Sequence, residues 1–163
     1  GHVLGAVLTG GKVTTVVLHP LTISRTDVHP NPHPLIEVWA GAVVGSLLPL
    51  IALLTANAFR SPGVYLFRFF AGFCLIANGV YIGAGWLAEE GADSVVMLHN
   101  GSPVWLLILF GLCTVPLGLY LWHRQGICFG LGDANGKVNT RAAVVSASLF
   151  AALVLAECML SGR

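Results

Sequence analysis

Four long apolar stretches limit what this chain can fold into. Each runs for roughly twenty residues with few charged side chains, which is the length an α-helix needs to cross the hydrocarbon core of a bilayer. A soluble domain carries about 25% charged residues, whereas this chain of 163 residues carries 9% and is 56% hydrophobic. We therefore predict a membrane protein. The net charge of +1 gives no indication of nucleic-acid binding.

The apolar stretches predict an all-α polytopic membrane protein with a single transmembrane domain. The predicted complete transmembrane helices are residues 37–57, 63–87, 104–122 and 141–160 of the 1–163 domain. Amphipathic rings favour the membrane–water interface. Every tryptophan lies at an end of a predicted helix: Trp39, Trp86, Trp105 and Trp122. The ring positions therefore support the same four helices independently of hydropathy.

The segment before the first complete helix mixes helix and strand patterns. Residues 1–11 are apolar and small, and Gly10-Gly11 favours the end of a partial helix there. Residues 12–36 contain two runs of β-branched residues and then several prolines, which predicts a short β-hairpin and a Pro-rich linker. The chain begins with Gly1 rather than Met. We expect this point to be a cut through a longer, N-terminally truncated helix.

Some histidines and cysteines do not form a recognisable metal motif. His19, His29 and His33 surround the Pro-rich segment. They could form a metal cluster, but a solvated linker is favoured because no regular element fixes their geometry. The four cysteines are far apart and contain no C-x-x-C pair, so we interpret them as small apolar side chains.

His2 and Asp93 are the candidate metal ligands. Alternation of the predicted helices places the end of the His2 helix and the loop that carries Asp93 on the same side of the bilayer. Zinc binds imidazole nitrogen and carboxylate oxygen, and a catalytic site needs three protein ligands with one open position. Asp93 could instead be one more solvated acid beside Glu89 and Glu90.

Several motifs resemble the membrane-embedded zinc metalloproteases of the site-2 protease class, in particular their short bacterial branch. The matching pieces cover most of residues 1–122. They are Gly1-His2, the Leu-Thr-Gly-Gly-Lys-Val run at 8–13, the β-rich stretch to Val28, the Ala-Gly-Ala-Val-Val-Gly-Ser run at 40–46, and Gly91-Ala92-Asp93. The family's second motif, an Asn followed by prolines and Asp-Gly, is not present in that form.

The resemblance implies a zinc ion bound by two histidines of one helix and a later aspartate. A glutamate between those histidines acts as the general base in this motif. Carried over, His2 is the second histidine and Asp93 is the carboxylate ligand. The first histidine and the glutamate would precede residue 1, so residues 1–163 alone are expected to be inactive.

These observations predict an intramembrane zinc metalloprotease fragment that hydrolyses peptide bonds of membrane-associated substrates. Its partners would be the lipid bilayer and a membrane protein or peptide, and its location the bacterial inner membrane. Two alternatives remain open. One is a non-catalytic membrane scaffold of the same fold. The other is a small membrane transporter, in which Arg68, Asn78 and Glu157 would line the pathway.

Overall fold

The computed structural model describes residues 1–18, 25–87 and 92–161 and is mostly helical. Its elements, in chain order, are α1 (His2–Leu8), β1 (Val13–Val17), β2 (Arg25–Val28), α2 (Pro34–Ala58), α3 (Val64–Ala84), α4 (Asp93–His99), α5 (Val104–Trp122) and α6 (Thr140–Ser161). Short 3₁₀ turns follow α3 at Gly85–Leu87 and α5 at Gly126–Phe129 and Gly132–Ala134.

Four of the described helices are long and apolar enough to cross a membrane. They are α2, α3 with the turn that follows it, α5 and α6. The predicted helical architecture with a small antiparallel hairpin is confirmed at this level. One boundary differs, because α2 begins at Pro34 inside the predicted Pro-rich linker. Proline suits the first position of a helix, where its fixed φ is already helical and its missing N–H needs no partner.

The glycine pair ends α1 as predicted. Gly10 has a φ of +78°, which is the left-handed conformation that glycine adopts without steric cost. The N–H of Gly11 donates to the carbonyl of Ala6 at 2.8 Å, and the N–H of Gly10 donates to the carbonyl of Val7 at 3.3 Å. This is the Schellman arrangement, which satisfies the last carbonyls of the helix and turns the chain toward β1.

The hairpin pairs β1 with β2 in antiparallel register. Val16 lies opposite Thr26 and Val17 opposite Arg25, with an irregularity between Val13 and Thr15. The N–H of His29 donates to the carbonyl of Lys12 at 2.8 Å and continues the pairing beyond the strands. The hairpin therefore returns the chain to the start of α2.

Helix α4 lies between two of the predicted transmembrane helices, where no helix was predicted from the sequence. Met97 and Ser94 are fully buried, and α4 packs against α2 and α3. An isolated helix of this length is unstable, since helix nucleation costs more free energy than one turn of hydrogen bonds recovers. Tertiary packing of its apolar residues therefore holds α4 in place.

Close backbone approach joins α3 to α5. A Cβ atom added at Gly111 would lie 2.9 Å from the carbonyl oxygen of Gly79 and 3.1 Å from the Cα of Gly83. Small residues allow such contacts between apolar helices. The buried core lies near α4 and is formed by Val38, Ala42, Ile82, Met97 and Leu107.

Candidate metal centre

Three side chains from separate helices meet at one end of the bundle. His2 begins α1, Glu37 lies in the first turn of α2, and Asp93 is the first residue of α4. Nδ1 of His2 lies 2.6 Å from Oε1 of Glu37. On the other side of the ring, Nε2 of His2 lies 3.3 Å from Oδ2 of Asp93. The structure thus brings together the two residues predicted as ligands.

A glycine in α2 makes room for the His2 ring. A Cβ atom added at Gly41 would lie 2.7 Å from the ring carbon Cδ2 of His2, which is closer than real Cβ contacts allow. One helical turn further along α1, a Cβ atom at Gly5 would lie 2.9 Å from the Cα of Glu37. Small residues at this contact let α1 lie directly on the backbone of α2.

Glu37 was not among the predicted site residues. Only 7% of its surface is exposed, and its second oxygen, Oε2, accepts a hydrogen bond from Nδ2 of Asn31 at 3.4 Å. An acidic residue at the head of a helix is ordinarily explained by the helix dipole. Its position opposite His2 depends on how α1 packs on α2, which no local pattern indicates.

Asp93 is held at the start of α4 by its neighbours. Its backbone N–H donates to the hydroxyl of Tyr81 in α3 at 3.2 Å, while 27% of its side chain is exposed. A carboxylate in the first turn of a helix is stabilised by the unpaired N–H groups there. Asp93 is therefore both anchored through its backbone and accessible through its carboxylate.

His2 and Asp93 border an open cleft of about 740 Å³ between the hairpin, α2, α3 and α4. Its wall includes His2, Glu37, Asp93, Asn78 and Tyr81, together with Arg25 and Asp27 of β2. A cleft of this size is in the range that holds small ligands or a few residues of a peptide. Nε2 of His2 and the Asp93 carboxylate therefore lie where an entering molecule could reach them.

The two contacts of the imidazole differ in kind. The Glu37 contact of 2.6 Å is a short charge-assisted hydrogen bond. The Asp93 contact of 3.3 Å is longer than the about 2.7–2.9 Å of such a bond. Two ligands of one tetrahedral zinc, each about 2.0–2.2 Å from the metal, lie about 3.3–3.6 Å apart. Nε2 and Oδ2 therefore fit two neighbouring positions of a zinc coordination shell.

Charge also favours a cation at this place, because two carboxylates flank a single imidazole. The Glu37 carboxylate faces Nδ1 rather than Nε2, so it is not in position to bind the same ion. Among the described residues, no group of three His, Cys, Asp or Glu side chains could hold a metal ion. The described residues thus supply two potential metal-binding atoms that lie close together, Nε2 of His2 and Oδ2 of Asp93.

Of the other polar residues considered from the sequence, Asn78 also lines this cleft. His33 immediately precedes α2, while His19, Glu89 and Glu90 lie outside the described residues. Arg68 donates from Nε to the carbonyl of Leu121 at 2.9 Å. Asn78 donates to the carbonyl of Cys74 in its own helix at 2.8 Å, and Glu157 is half-buried in α6. His2 and Asp93 are the predicted residues that the structure joins.

No family model, curated protein or solved structure matches this chain. The resemblance to the site-2 protease class rests on the sequence motifs given under Sequence analysis.

Proposed function

We propose that this chain is part of a membrane-embedded zinc metalloprotease of the site-2 protease class, with His2 and Asp93 as two of the zinc ligands. The main support is the 3.3 Å approach of Nε2 to Oδ2 on the wall of an open cleft. Four helices long and apolar enough for a membrane are consistent with an integral membrane protein. The bacterial inner membrane is the location that the proposal assigns.

In this proposal His2 presents Nε2 toward the cleft and Asp93 contributes a negative charge beside it. A bound zinc ion would supply Lewis-acid polarisation of a carbonyl and a lowered pKa for water. The cleft would hold the peptide chain of a membrane-associated substrate against these groups. Arg25 and Asp27 of β2 lie on the same wall and would contact that chain.

The remaining catalytic groups would come from the three residues before Gly1. Side chains four positions apart share one face of a helix, so a histidine one turn before His2 would reach the same point. The family motif places a glutamate directly after that histidine, as the general base. Reading this upstream tripeptide separates the protease from a non-catalytic scaffold, for which any other tripeptide is expected.

The experiment compares two acids that line the same cleft in the complete protein, purified in detergent. Asp93→Ala removes a proposed ligand and is expected to abolish both zinc content and hydrolysis of a membrane-inserted peptide reporter. Asp27→Ala is the matched control for zinc content, because Asp27 pairs with Arg25 at 3.4 Å and is not a proposed zinc ligand. It should retain zinc in full.

The scaffold alternative also has an observation in its favour, since the same three side chains tie α1, α2 and α4 together. A wild-type protein that holds no zinc and cleaves no reporter would favour the scaffold. Zinc that is retained in full by Asp93→Ala would contradict the assignment of Asp93.

A further inference from the structure

We infer that Glu37 is a positioning residue, which holds His2 in the tautomer whose Nε2 lone pair faces Asp93 and the cleft. The effect of Glu37 on metal binding rests on the proposed function. Its effect on the tautomer of the His2 ring rests on the contacts alone.

The burial of Glu37 requires a strong partner. Its exposed fraction is 7%, although it lies in the first turn of an apolar helix. A buried carboxylate is costly unless hydrogen bonds compensate for the lost water. The ring N–H of His2 is its shortest contact, at 2.6 Å, and the amide of Asn31 is a longer one, at 3.4 Å. Most of the compensation must therefore come from His2.

This contact decides which ring nitrogen carries the proton. A carboxylate accepts hydrogen bonds, and Oε1 of Glu37 lies 2.6 Å from Nδ1 whereas Oδ2 of Asp93 lies 3.3 Å from Nε2. The shorter contact therefore favours Nδ1 as the nitrogen that keeps the proton of the neutral ring. In the neutral imidazole the other nitrogen, Nε2, then carries the lone pair. Metal-binding histidines typically donate their second N–H to a carboxylate in this way, which orients the ring and raises its basicity.

Two neighbours prevent the pair from rearranging. Gly41 lies directly behind the ring, and the ring fills the space that a side chain would occupy. Asn31 holds Oε2 of Glu37, and its own Oδ1 is buried with no hydrogen-bond partner among the described residues. The amide of Asn31 is thus committed to Glu37 as a donor, which leaves Oε1 free for His2.

A carboxylate that merely tied α1 to α2 would give a different result. Such a tie would stabilise the helix contact, but a change in the Nε2 lone pair or in metal affinity would not be required. The discriminating measurements are therefore the tautomer of His2 in zinc-free protein and the zinc affinity of the same sample.

The experiment uses the complete protein in detergent, with ¹⁵N-labelled histidine, at a pH where the imidazole is neutral. In the wild type, the His2 spectrum should show a proton on Nδ1. Glu37→Ala should lose that preference and bind zinc about tenfold to a hundredfold more weakly in competition with a chelator. Glu37→Gln keeps the side-chain volume and can both accept and donate, so its tautomer should be mixed and its loss of affinity smaller.

Glu157→Ala in α6 is the control and should change neither measurement. An unchanged tautomer in both Glu37 variants would overturn the inference, and Glu37→Gln provides this test even if Glu37→Ala fails to fold. If the Glu37 variants shift the tautomer but the wild-type protein binds no zinc, the result would support the role of Glu37 and count against the protease. If zinc binding is lost in Asp93→Ala but unchanged in the Glu37 variants, the metal site would be supported. Glu37 would then be rejected as its positioning residue.

Discussion

The two ends of the helix bundle use polar side chains in different ways. At the end that carries the site, side chains from separate helices pair with one another, as His2 does with Glu37 and Asp93. At the opposite end, they pair with backbone carbonyls of helices. Arg68 donates to the carbonyl of Leu121 at 2.9 Å, a donor–acceptor pair that joins α3 to the end of α5.

Two further contacts at that opposite end follow the same pattern. Nε2 of Gln125 donates to the carbonyl of Leu121 at 2.6 Å, and Nε1 of Trp122 donates to the carbonyl of Phe69 at 2.8 Å. Leu121 lies in the last turn of α5, where carbonyls lack intrahelical partners, so its bonds satisfy a group that needs a donor in any folded state. Phe69 lies inside α3, and the bond from Trp122 ties the end of α5 to that helix. At the other end, Nε2 of His2 and the carboxylate of Asp93, which are potential metal-binding atoms, instead face the cleft. The two ends therefore differ in what their side chains face: backbone carbonyls at one end and an open cleft at the other.

Among substitutions that leave His2, Glu37 and Asp93 unchanged, the largest effect is expected at Gly41. Gly41→Ala would place a methyl group on the His2 ring and displace Nε2, so zinc affinity should fall at least tenfold, as it does when groups that orient a ligand are lost. Alanine normally stabilises a helix by about 0.5–1 kcal/mol relative to glycine, so a loss of metal without a loss of fold is the expected signature. Competition with a chelator measures the affinity.

Gly45→Ala, one turn further along α2, is the matched control for Gly41. A Cβ atom at Gly45 would lie 3.2 Å from Nδ2 of Asn78, and the amide end of that flexible side chain can shift. Zinc affinity should stay within about twofold of the wild type, because this substitution moves no orienting group of the kind whose loss weakens metal binding. Equal losses in the two alanine variants would mean that helix packing, not the ring, controls binding.

A smaller effect, of another kind, is expected at Arg68. Arg68→Met removes the donor to the carbonyl of Leu121, and the loss of a hydrogen bond from a charged group costs about 1.5–3 kcal/mol of unfolding free energy. Zinc bound per folded molecule should not change. Denaturant titration in detergent together with metal analysis checks both. A metal-deficient but fully stable Arg68→Met protein would erase the distinction between the two ends.

The smallest difference between the two ends is in their number of positive residues, which bears on orientation in the membrane. Helix alternation along the sequence assigns four positive residues to the side away from the site and three to the site side. The first group is Arg60, Arg124, Lys137 and Arg141, and the second is Lys12, Arg25 and Arg163. The positive-inside rule then predicts that the site faces away from the cytoplasm.

Cysteine labelling in intact cells checks this orientation. Lys137 and Asn100 are both exposed, and they lie after α5 and α4 respectively, which makes them suitable positions in a variant without native cysteines. A cysteine at position 100 should be labelled from outside and one at position 137 should not. Labelling of position 137 alone would reverse the orientation.

The long helices were predictable because composition and length alone indicate them. Hydropathy located α2, α3, α5 and α6, and the Gly10-Gly11 pair indicated where α1 ends. Helix α4 was missed, because a seven-residue helix is held by tertiary burial of Met97 and Ser94 rather than by its own pattern. Local sequence patterns therefore predict the elements that depend on their own length and composition, and they miss an element that is held by tertiary contacts.

The site was predictable only in part, and for a similar reason. Counting helix alternation places His2 and Asp93 on the same side of the bundle, and the structure brings them to 3.3 Å. Glu37 could not be found in this way. Its contact with His2 depends on the approach of α1 to α2 at Gly5 and Gly41, and that approach becomes visible only in three dimensions.

The most direct test of the central claim is the anomalous scattering of zinc in crystals of the complete wild-type protein. A zinc peak is expected about 2.0–2.2 Å from both Nε2 of His2 and Oδ2 of Asp93, with Nδ1 still donating to Glu37. A zinc peak at another place, or zinc-saturated crystals in which His2 and Asp93 are joined directly with no metal between them, would contradict it.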